Sequence, residues 1–72
     1  MPSGHQMNKK ELKQILRILE SELTYRKGYY RMGEELNSED KELNLLVIKL
    51  AKELNLFDSL EPFNQNLFYK LE

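Results

Sequence analysis

Few side chains in this 72-residue chain are of a type that could carry chemistry. His5 is the only histidine, and there is no cysteine to act as nucleophile, thiolate ligand or disulfide partner. Ser, Thr and Tyr hydroxyls occur, but a hydroxyl nucleophile needs a base beside it and a third group that orients the base. His5 cannot supply that base if it precedes the domain. It lies in residues 1–6, which also hold one of the two prolines and one of the three glycines, ahead of a second methionine at Met7. We read residues 1–6 as a disordered leader added before the natural start, and residues 7–72 as a single domain.

The other residues suited to chemistry are weak candidates. Three scattered glycines draw no phosphate-binding loop. Glu34-Glu35 and Glu39-Asp40 could hold a hard cation, yet they fall at helix ends, where solvated or capping carboxylates are ordinary. The sequence therefore predicts no catalytic residue, no cofactor, no metal and no small-molecule substrate.

Leucine dominates the apolar set, with one Val, three Ile and one Ala, a mix that favours helix over sheet. The prediction is an all-α fold: a long helical hairpin with a short third C-terminal helix, forming a small bundle. At about 100° per residue, Leu12, Ile15, Leu16, Leu19, Leu23 and Tyr30 share one arc. Ile18, Tyr25, Tyr29, Met32 and Leu36 fall on an adjoining arc. Because this phase survives across Gly28, the pattern predicts one helix from Asn8 to Leu36, although Arg26-Lys27-Gly28 is also an acceptable stop.

Asn37 or Ser38 can cap a second helix over about Glu39–Leu56, with acidic residues in its first turn. Its expected core stripe is Leu43, Leu46, Val47, Leu50, Leu54 and Phe57, with Ala51 at the margin. Facing Leu16, Leu19 and Leu23, that stripe predicts a core in which Leu46→Ala is strongly destabilising. Asp58, Glu61 and Pro62 allow a short third helix, whose Leu60, Phe63, Leu67, Phe68 and Leu71 can fold back on the hairpin.

Charge divides the chain. Residues 1–33 carry seven Lys or Arg against three Glu, whereas residues 34–72 carry four Lys against nine Asp or Glu. A basic face comprising Lys9, Lys13, Arg17, Lys27 and Arg31 could meet phosphates, though it could equally complement the acidic half across the hairpin. Val47 to Leu56 also partly resembles a helix-turn-helix, with Leu50-Ala51 at its apolar and small positions and Asn55 where a left-handed turn residue belongs. Beyond Asn55 the match fails, since Glu61 and Asn64 fall where buried apolar residues are required and Pro62 interrupts.

Apolar residues exceed what two helices and a short tail can bury. On the first helix the apolar sector spans roughly 200°, twice the stripe of an ordinary surface helix. Ile18, Tyr25, Tyr29, Met32 and Leu36 on that helix, with Leu45, Ile48 and Leu56 on the second, are the predicted protein interface. The expected function is a non-enzymatic interaction or regulatory module docking a protein partner or itself, most simply as a homodimer. Nucleic-acid binding through the basic face is the alternative. No apolar run reaches the ~20 residues of a membrane span, so the expected location is the cytoplasm and no membrane partner is expected.

Overall fold

The computed structural model describes residues 7–31 and 33–67. The proposed leader, Met32, Phe68 and Leu71 lie outside the described residues. Two helices and two single 3-10 turns make up the described regular structure, as the all-α reading requires: α1 (Lys9–Lys27), α2 (Ser38–Glu53), and turns at Phe57–Ser59 and Pro62–Asn64.

Asn8 starts α1 through a capping box, its side chain accepting from the Glu11 N–H at 2.9 Å while Glu11 accepts from the Asn8 N–H at 3.1 Å. Asn8→Ala removes one arm and should cost about 1 kcal/mol, measurable by urea unfolding. Asn37 caps α2 through a single bond, its side chain accepting from the Asp40 N–H at 2.8 Å.

The first helix is shorter than its apolar phase predicted. It ends at Lys27, with Gly28 as C-cap and Arg26 and Lys27 as cations in the last turn. Glycine weakens helix continuation by about 1 kcal/mol, and the returning chain makes better use of the residues beyond it. Leu36 becomes buried, and the Tyr30 hydroxyl reaches Asp40 of α2. Gly33, at φ 80°, makes the connecting turn that a side chain would strain.

The core consists of Leu16, Leu23, Val47, Ala51, Leu54 and Leu60, with Leu12, Leu19, Leu43, Leu50, Leu56 and Phe57 packed around it. This corrects the expected stripe of α2. Leu46 is 49% exposed, while Val47 and Ala51 are fully buried. The inward positions are 40, 44, 47, 51 and 54, so the stripe is centred one position later than the leucines suggest, and two of its members are Asp40 and Asn44.

Asn55 takes φ 60°, the left-handed conformation expected there, and lets the chain reverse after α2. Among the described residues past this reversal there is neither a third α-helix nor a DNA-reading helix, only the two 3-10 turns. Polar groups fasten this tail to one side of the hairpin. Asn64 donates to Glu20 Oε2 at 2.9 Å and to Thr24 Oγ1 at 3.0 Å, Glu20 Oε2 also accepts from the Glu61 N–H, and Asn44 donates to the Asn64 carbonyl at 3.0 Å. Lys27 Nζ donates to the carbonyls of Phe63 and Asn66.

Lys27 has no exposed surface, and burial lowers its ammonium to about 8. Between pH 8 and its ordinary 10.5 the folded chain sheds this proton while the unfolded chain keeps it, so stability attributable to Lys27 rises with pH across that window. Urea unfolding of the parent and of Lys27→Met, run from pH 7 to about 10.5, should show the parent gaining on the variant; parallel pH curves would contradict the assignment.

Candidate protein-docking surface

Two sides of the hairpin differ, since the described residues of the tail are fastened to one of them. Glu20, Thr24 and Lys27 of α1 and Asn44 of α2 meet the tail. A rotation of about 100° per residue turns Ile15, Ile18, Glu22 and Tyr25 away from that side of α1. On α2 the same rotation turns Glu39, Glu42, Leu46 and Glu53 away from Asn44. The Arg26–Asp40 pair, with Nη1 to Oδ1 at 2.9 Å, sets the level of the two helices, so Ile18 and Leu46 lie along the same middle stretch of the hairpin.

Large apolar surface is left open there. Ile18 is 67% exposed and Tyr25 63% exposed, with Leu46 near half, and Tyr29 beyond the helix end is 74% exposed. Leu43 and Leu50 are half-buried at the seam. The tyrosines are ordered against each other, Tyr25 and Tyr29 packing edge to face at 5.4 Å between ring centres with their hydroxyls 3.0 Å apart. That hydrogen bond, with burial and the Glu22 charge, raises the Tyr25 phenol above its usual range.

Behind the tyrosines a network locks the loop to α2. Tyr30 donates to Asp40 Oδ2 at 2.7 Å and accepts from the Asn37 N–H at 3.1 Å, while Arg26 bridges Asp40 and Glu22, the latter at 2.8 Å. The Tyr30 hydroxyl and the Arg26 guanidinium hold the Asp40 carboxyl below the usual range although its burial opposes them. Burial pushes the Tyr30 phenol up. Tyr25, Arg26, Tyr29, Tyr30, Glu34 and Glu35 line an open hollow of about 430 Å³ at this end of the face. Rings and carboxylates there can hold a cationic or aromatic group. No family model matches the chain, and no curated protein or solved structure is similar to it.

The predicted interface residues fall into three places. Ile18, Tyr25 and Tyr29 remain exposed, and so does Leu46, whose contribution the sequence assigned to the core. Leu45 is exposed on the back of α2, with Ile48 half-buried near it. Leu36 is buried, and Leu56 is half-buried against the core, so neither is offered to a partner. Of the basic face, Lys9, Lys13 and Arg17 are exposed on the outside of α1 and Arg31 lies past its end. Lys27 is removed from that face altogether, because its amine turns inward to the tail carbonyls.

Among the described residues no group of three His, Cys, Asp or Glu side chains is placed to hold a metal ion, and no helix is long and apolar enough to cross a membrane.

Proposed function

We propose that this protein is a non-enzymatic cytoplasmic interaction module that works by docking another protein on the side of the hairpin opposite its tail. The observation that carries this reading is the uncovered strip of Ile18, Tyr25 and Leu46, on a domain small enough that every apolar contact matters. Tyrosine suits such a surface, since its ring contributes area at little entropic cost and its hydroxyl tolerates water. A chain without cysteine also suits a reducing compartment.

Photo-crosslinking tests the proposal. A benzophenone side chain placed at Ile18 or Leu46 should capture a defined protein, or a second copy of the chain, in cells of the source organism. The same probe at Asp58, exposed near the other end, should not. Equal capture from all three positions, or none from any, would contradict docking on this face. Nucleic-acid binding through Lys9, Lys13 and Arg17 would instead show as association that weakens steeply with added salt.

A further inference from the structure

We propose that the occupant of this face is a cationic amphipathic helix belonging to a different protein. This rests on the docking reading above and adds the chemistry of the partner. The apolar strip is bordered by carboxylates: Glu11, Glu22, Glu39, Glu42 and Glu53 all lie on or beside it. The cations nearest to it are Arg17, Lys49 and Arg26; Arg17 shares a hollow with Ile18, Glu22 and Tyr25, and Arg26 is already engaged by both Glu22 and Asp40, so the five carboxylates outnumber the cations left to meet a partner. An apolar strip edged in negative charge favours a partner whose apolar stripe is edged by Lys and Arg, and disfavours an acidic helix or a nucleic acid.

The hairpin end adds a place for one cationic head. Tyr25 and Tyr29 present their rings beside Glu34, while Glu35 already meets Lys41 at 3.1 Å, so a guanidinium or ammonium can meet aromatic faces and the Glu34 carboxylate together. From Ile15 to Tyr25 the strip rises about 15 Å, which matches a partner segment of about three turns.

A second copy of the chain fits less well. In a closed two-fold pair a face meets itself, so this acidic border would meet an acidic border. Arg17 and Lys49 are too few to neutralise that border, and the exposed Lys9 and Lys13 lie well round α1 from Ile18. They could reach the face of another copy only head to tail, in an arrangement that does not close.

Two labelled synthetic helices of about 18 residues, sharing one leucine stripe but bordered either by Lys and Arg or by Glu, provide the test when titrated into the full chain. The cationic helix should bind at least about tenfold more tightly than the acidic one. Glu42→Lys with Glu53→Lys should erase most of that preference, and Ile18→Asp with Leu46→Asp should weaken binding of the cationic helix by at least about tenfold. None of the four positions belongs to the core, and circular dichroism confirms that the variants remain helical.

Equal binding of both helices, lost in the Ile18/Leu46 variant, would overturn the cationic partner while leaving the docking face in place. Absence of binding by either helix up to about 1 mM would overturn the inference, with crosslinking at Ile18 still deciding the docking reading. A concentration-dependent dimer that the Ile18/Leu46 variant dissolves would put a second copy on the face and overturn it as well.

Discussion

Leu23→Ala is expected to lose about 2–5 kcal/mol of stability, enough to unfold much of so small a domain at ambient temperature. Leu23 is wholly buried in the same cluster as Val47 and Ala51, so its truncation leaves a cavity in the middle of the core. The control is Leu46→Ala. Because Leu46 is half exposed, that change should cost less than about 1 kcal/mol, so the two leucines separate the true stripe of α2 from the one its leucines suggest. Urea unfolding of both variants decides the matter. Equal losses would mean that α2 is rotated so as to turn Leu46 into the core.

Asp40→Ala is expected to be the most damaging change among the polar residues, at about 1–3 kcal/mol, because it leaves the Tyr30 hydroxyl and the Arg26 guanidinium without their shared acceptor. Its effect should depend on pH. With its folded pKa depressed, Asp40 contributes stability that is fully present above the ordinary carboxylate range and is lost as pH falls through its folded value. The gap between parent and variant should therefore narrow in acid and hold constant near neutrality. A gap that widened on acidification would contradict the assignment. Tyr30→Phe should lose a smaller part of the same stability, about 1 kcal/mol, through the hydroxyl bond to Asp40 and the acceptor for the Asn37 N–H.

Much of the fold is legible from periodicity and caps. The two helices, the cap at Asn37, one of two candidates, the inward phase of Leu16 and Leu23 and the left-handed Asn55 all accord with residue type and spacing. Apolar stripes alone do not reveal the rest. Asp40, Asn44 and Lys27 occupy inward positions, and a polar residue in such a position cannot announce that a distant loop or tail will satisfy it. Lys27 illustrates the cost of this, since its place on the wheel suggested a phosphate contact while its amine binds backbone carbonyls of the tail.

Gly28 is ambiguous for a related reason. Local propensity barely separates a weak helix position from a stop, and the balance is tipped by Tyr30 meeting Asp40 ten residues on. The proposed docking face is half visible in the sequence. Ile18, Tyr25 and Tyr29 stand out as surplus apolar residues, but Leu46 joins them only through the rotation of α2, and the tail's choice of side depends on Asn44 and Asn64.

The claim that this protein acts through the side opposite its tail is most directly tested by methyl chemical shifts of the full chain during titration with the Lys- and Arg-bordered helix. Ile15, Ile18 and Leu46 should shift together and saturate at one concentration, with Leu45 and Ile48 on the back of α2 unmoved. Shifts confined to Leu45 and Ile48, or spread evenly over both groups, would contradict the account.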